Sequence, residues 1–126
     1  MKKAVWAAAL ALAVSFAAGG AVAAETMHLA SHYAVHGKNA NGTSYSGVAD
    51  IEILSDTTFS IDWKIKGSGD SHGFGMRMNN TVSATYMLAG QPGLIIYKTA
   101  PDGSFSGIWA IRGGNGNGSE TLTPLP

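Results

Sequence analysis

The chain predicts an all-β domain: a small antiparallel up-and-down meander of about eight strands, closed or nearly closed into a barrel, with a two-layer β-sandwich as the alternative. Three observations carry this reading. Phe59-Ser60-Ile61-Asp62-Trp63-Lys64-Ile65-Lys66 alternates apolar and polar residues without a break, the period of a strand with one buried face. Stretches from Tyr45 to Ile53 and from Phe105 to Ile111 repeat the alternation. Turn signals return roughly every 8 to 15 residues with no helical period between them, and a sheet of many short strands hides its edges best by closing.

In chain order, residues 1–24 come first. Lys2 and Lys3 precede the apolar run Ala4–Ala18, and Ala21-Val22-Ala23-Ala24 supplies the small residues of a cleavage site, so this segment reads as a secretory signal peptide. Its apolar core is shorter than the roughly 20 residues of a membrane span. Residues 25–126 form a single β domain, expected in the periplasm or the medium with no membrane span left after signal removal. Without Lys2 and Lys3, six basic residues face eight acidic ones, a net charge of −2 that offers nothing to nucleic acid or anionic lipid. There is no cysteine. Stability must therefore come from one hydrophobic core rather than from bridges.

The first strand runs from Met27 to Val35, with Leu29, Tyr33 and Val35 on one face and His28, Ala30, His32, Ala34 and His36 on the other. Asn41-Gly42 turns the chain, since both residues tolerate positive φ. Ser44–Leu54 follows with Tyr45, Gly47, Ala49, Ile51 and Ile53 inward, then Phe59–Lys66, then a loop over Gly67–Ser71. Phe74, Met76 and Met78 alternate with Gly73, Gly75 and Arg77 in a fourth strand. Thr81–Leu88 is the fifth, closed by Gly90-Gln91-Pro92-Gly93. Leu94–Thr99 and Ser104–Ile111 flank the Pro101-Asp102-Gly103 turn, and Ser119–Thr123 is a last short strand. Tyr45-Ser46-Gly47-Val48 and Phe105-Ser106-Gly107-Ile108 echo each other, placing inward glycines where curvature or an aromatic neighbour requires them.

Two groups of residues are candidates for function. His28, His32 and His36 are candidate metal ligands; on a strand, however, residues four apart are separated by about 13 Å, too far to share one ion unless His72 joins from a neighbouring strand. Tyr45, Trp63, Phe105 and Trp109 face the interior and are candidate ligand-binding residues, because a barrel of eight strands either fills with side chains or holds one small ligand. Short strands favour filling, and each buried indole N–H would need an acceptor. The Gly113–Ser119 run lacks the Lys-Ser/Thr ending of a phosphate loop and the aspartate of a calcium repeat. Asp50, Glu52 and Asp62 fall on the wet face, and no serine sits in a nucleophile elbow, so no enzyme and no cofactor is expected.

Tyr33-Ala34-Val35-His36-Gly37, Asn41-Gly42, Tyr45-Ser46-Gly47, Trp63, Asp102 to Ala110 and Gly118-Ser119-Glu120-Thr121-Leu122-Thr123 together give a pattern that resembles small exported bacterial β-proteins, some labelled fibronectin-binding protein. The likeness covers nearly the whole chain after the signal, and strand spacing is similar to that of avidin-like barrels at the level of fold. What the resemblance implies is a non-catalytic exported binding module whose outer face or loops contact a macromolecule, a host or matrix protein. The residues themselves leave two alternatives: a carrier of a small apolar ligand with an aromatic pocket inside the barrel, or a histidine-dependent metal binder.

Overall fold

In the computed structural model, residues 28–126 are described; the predicted signal peptide, 1–24, lies outside the described residues. The chain forms eight antiparallel strands, each hydrogen-bonded to its sequence neighbours: β1 (His32–Lys38), β2 (Ser44–Ile53), β3 (Thr58–Ile65), β4 (Gly69–Met78), β5 (Thr81–Leu88), β6 (Gln91–Thr99), β7 (Phe105–Ile111) and β8 (Gly118–Pro124). β8 returns to β1, with Tyr33 opposite Pro124 and Lys38 opposite Ser119, and the barrel closes. The up-and-down barrel is thus the architecture, and the sandwich alternative does not apply.

Alternation sets which face is buried. Tyr33, Val35, Ala49, Ile51, Phe59, Ile61, Trp63, Val82, Ala84, Ile95, Tyr97, Phe105 and Leu122 make one continuous core. Full burial of such side chains stabilises by about 1.5–3 kcal/mol each before the entropic cost of ordering them. Phe105 packs on Tyr33 and Tyr97 at centroid separations of 5.4 and 5.5 Å. Ala30 N–H donates to the Tyr33 hydroxyl at 2.9 Å, and Leu29 and Ala30 pack against the core where the described chain begins.

Three strands differ from the sequence pattern. β1 begins at His32, with 28–31 outside the strand and Met27 outside the described residues, and it continues through Gly37 to Lys38, because β2 and β8 supply partners on both sides of the histidine-containing stretch. Gly69, Asp70 and Ser71, which read as loop, pair with Ile65, Lys64 and Trp63. Gln91-Pro92-Gly93, which read as a turn, is strand, since Ala89 and Gly90 make the reversal alone with φ of 51° and 80°. Pro92 has no N–H to give, but its carbonyl accepts from Arg112 N–H at 3.0 Å.

In β4 size misleads. Phe74, Met76 and Met78 point outward and are exposed, whereas Gly73 and Gly75 face in. The space there is already taken from both sides: a Cβ on Gly75 would collide with the Ser83 carbonyl of β5 and the Phe59 ring of β3, and one on Gly73 with the Thr85 carbonyl and the Trp63 indole. The two echoed glycines are closed off by neighbouring backbone alone. A Cβ on Gly47 would strike the backbone of Lys64 and Ile65, and one on Gly107 the backbone of Ile96 and Tyr97. These are places where the sheet coils so tightly that adjacent strands leave no room for a side chain.

Candidate functional site

The two ends of the barrel are built differently. Around Tyr33, Val35, Phe59 and Phe105 the interior is closed to solvent, and the Tyr33 and Phe105 rings pack together. Toward the opposite end, where the β1–β2, β3–β4, β5–β6 and β7–β8 connections lie, it opens into a cavity of about 120 Å³. Tyr45 reaches it from the start of β2, Trp63 and Ile65 from the end of β3, Tyr86 and Leu88 from the end of β5, and Trp109 from β7. Asn39 and Ser68 stand at the rim. Glycine on the neighbouring strand lets each ring come close against the wall: Tyr45 over Gly37, Tyr86 over Gly93, Trp109 over Gly118. A methyl at Gly118 would occupy the space of the indole itself.

Glu120 forms the floor. It shares an inward face of β8 with Gly118 and Leu122, and it is the buried charged residue of the described chain, 6% exposed. Three neutral donors converge on it. Trp63 Nε1–H donates to Oε2 at 2.9 Å and the Tyr97 hydroxyl to the same oxygen at 2.6 Å. The Tyr45 hydroxyl donates to Oε1 at 2.8 Å. A carboxylate offers about four acceptor positions, so three bonds leave one on Oε1, and Glu120 is among the residues that line the cavity. The acceptor required by a buried Trp63 indole is therefore this carboxylate. Trp109 Nε1 is buried with no hydrogen bond of normal geometry, although it lies near enough to the Tyr45 hydroxyl to favour that group's ionised form slightly.

The charge state of this cluster follows from its surroundings. Burial pushes the Glu120 carboxyl above the ordinary glutamate range, and hydrogen bonds from Tyr97, Tyr45 and Trp63 pull it partly back. Burial, and then the charge of Glu120, push Tyr86 up to about 12. The same causes hold Tyr45 and Tyr97 further above the usual phenol value. All three tyrosines are thus neutral donors across the physiological range. Because the folded protein holds the Glu120 proton more tightly than the unfolded chain does, this group's contribution to stability is full below the unfolded pKa near 4.5 and is lost as pH rises through the raised folded value. Glu120→Gln is expected to remove that loss. Denaturant midpoints of the wild type and variant, compared from pH 4 to pH 8, check this: the difference between them should shift in favour of the variant as pH rises.

Of the four predicted ligand-binding residues, Tyr45, Trp63 and Trp109 line the cavity. Phe105 does not; it is 2% exposed in the packed half, against Tyr33 and Tyr97. Tyr86 and Glu120 are the site residues that the sequence reading passed over. Glu120 was legible in principle, because Gly118-x-Glu120-x-Leu122 puts it on the same face as a core leucine.

The histidines are not gathered into a ligand set. His32 Nδ1 lies 2.6 Å from Asp50 on the outer wall, His36 is exposed beside Ser46 on β2, and His28 precedes β1. His72 pairs with Asp62 on β4 and β3. Among the described residues no group of three or more His, Asp or Glu side chains converges at metal-binding distance. Such exposed pairs are worth about 0–1 kcal/mol.

No protein-family model matches the chain, and no curated protein matches it. Among solved structures it is similar to a de novo designed fluorescence-activating β-barrel, with 13% sequence identity and a TM-score of 0.58 over 77% of this chain and 94% of that one. At that identity the likeness establishes a shared barrel fold.

Proposed function

We propose that this protein is a non-catalytic carrier or sensor that holds one small ligand in the open half of its barrel. The observation that carries the reading is the cavity itself: about 120 Å³ left unfilled, walled by aromatic rings and floored by a single buried carboxylate. Cavities of roughly 150 Å³ lined by apolar groups take up benzene-sized molecules, and a preformed pocket with a few convergent polar groups is the usual form of a small-ligand site. The designed neighbour is described as fluorescence-activating, which agrees with an eight-stranded barrel of this size having room for a guest. Export, if the N-terminal segment acts as a signal, would place the carrier in the cell envelope or outside it.

Tryptophan fluorescence during a screen of single-ring compounds tests this. Trp63 and Trp109 both touch the cavity, so a bound guest is expected to change emission saturably. Ser71→Phe, which projects a ring into the cavity from β4, is expected to abolish that response while leaving the barrel folded by circular dichroism. A flat response from the wild type across the screen would remove the carrier reading.

The outer wall supports a second reading, a macromolecular partner of the kind that the fibronectin-binding label suggests. Phe74, Leu94, Met76, Ile96 and Ile108 are each about half exposed or more. They lie in two adjacent rows across β4, β5, β6 and β7: Phe74–Thr85–Leu94–Ala110 and Met76–Ser83–Ile96–Ile108. Apolar side chains clustered on one side of a small barrel are a feature of interaction surfaces.

A further inference from the structure

We propose that the cavity selects a small organic cation, a primary or quaternary ammonium group, seated among the aromatic rings with its charge directed at Glu120. The inference rests on the carrier reading and names its ligand class. Four features of the site point the same way.

The first is the wall. Two indoles and two phenols surround the space, arranged as edge-to-face pairs: Trp63 with Tyr86 at 5.4 Å and 62°, Tyr45 with Trp109 at 6.3 Å and 61°. Ring faces carry the negative end of the aromatic quadrupole, and cages of Trp and Tyr are the usual receptor for ammonium groups. The second is the missing countercharge. No lysine, arginine or histidine is among the described residues that line the cavity, and the three groups bonded to Glu120 are all neutral donors. The third is the spare acceptor position on Oε1, which an N–H donor or the positive face of a quaternary ammonium would occupy. The fourth is size, since the volume admits a single ring or a compact alkylammonium and little more. A neutral ring would satisfy the walls but leave the carboxylate unpaired, and an anion would face Glu120 directly.

This geometry has a pH signature. The titratable groups facing Glu120 are Tyr45 from β2, Tyr86 from β5 and Tyr97 from β6, while Trp63 from β3 does not ionise. With the tyrosines held neutral, Glu120 is the group that titrates between acid and neutral pH. A bound cation favours its ionised form, so cation affinity should rise with pH through the raised Glu120 value and then level off.

The test compares three molecules of one shape, benzylammonium, benzyl alcohol and benzoate, by calorimetric titration of the full-length folded protein. Benzylammonium is expected to bind about tenfold or more tightly than benzyl alcohol, with benzoate the weakest. Glu120→Gln should erase that preference by weakening benzylammonium far more than benzyl alcohol. Should that variant not fold, the preference among the three in the wild type, and its growth between pH 4 and pH 8, decide the matter without it. Benzyl alcohol binding as tightly as benzylammonium would overturn the cation inference and leave the carrier reading standing. Saturable binding by none of the three would overturn both.

Discussion

Glu120→Ala is expected to lower the unfolding free energy by about 4 kcal/mol, more than truncation of any exposed carboxylate on the barrel. The size of the effect follows from what is left behind rather than from what is removed. Trp63 Nε1, the Tyr97 hydroxyl and the Tyr45 hydroxyl all donate to this one side chain. Alanine strands three donors at once, each costing about 1–3 kcal/mol when left dry, reduced here because water can follow through the open end. Glu120→Gln should behave differently. Its carbonyl oxygen can take the place of Oε2 and accept from Trp63 and Tyr97, and its amide can donate to Tyr45, whose hydroxyl rotates to accept. A cost within about 1 kcal/mol at neutral pH is expected for Gln. Urea denaturation of the three proteins checks this. Equal losses for Ala and Gln would show that the charge of Glu120, rather than its acceptors, holds the cluster together.

Gly107→Ala is expected to cost about 3 kcal/mol, although it adds a single methyl. The added carbon would meet the carbonyl of Ile96 and the Cα of Tyr97 on the neighbouring strand. Backbone cannot rotate aside as a side chain can, so β6 and β7 would have to part at the point where Tyr97 hands its hydroxyl to Glu120. Ser106→Ala, one residue away on the exposed face, should stay within about 0.5 kcal/mol. Thermal denaturation of both variants tests the contrast, and a Gly107→Ala protein as stable as the wild type would mean that the sheet flattens there at little cost.

These two residues also show what the sequence could reveal. Gly107 was legible: alternation put it inward between Phe105 and Trp109, and the echo with Gly47 marked both as positions of curvature or of an aromatic neighbour, of which the structure shows close neighbouring backbone. The closed barrel itself followed from strand number and turn spacing, because period-2 patterning constrains each strand locally. β4 was harder. Its large residues stand on the outside because the Ser83 and Thr85 carbonyls of β5 and the Phe59 and Trp63 rings of β3 already occupy the space over Gly75 and Gly73, and that is a fact about the neighbouring strands, invisible within β4. The site divided in the same way. Aromatic residues declare themselves by size, so Tyr45, Trp63 and Trp109 were found, but whether a ring fills the core or walls a cavity depends on strand stagger, and Phe105 fell on the other side of that line. Glu120 was missed because a lone carboxylate in a short terminal strand reads as solvated until its neighbours across the barrel are known.

The most direct measurement is a nitrogen–proton correlation spectrum of the folded protein recorded while benzylammonium is added. Occupation of the open half requires saturable shifts at the Trp63 and Trp109 indole N–H signals and at the Tyr86 and Glu120 amides, with Val35 and Phe105 at the packed end unmoved. Shifts confined to Phe74, Met76, Leu94 and Ile96 on the outer wall, or none that saturate, would contradict an internal site.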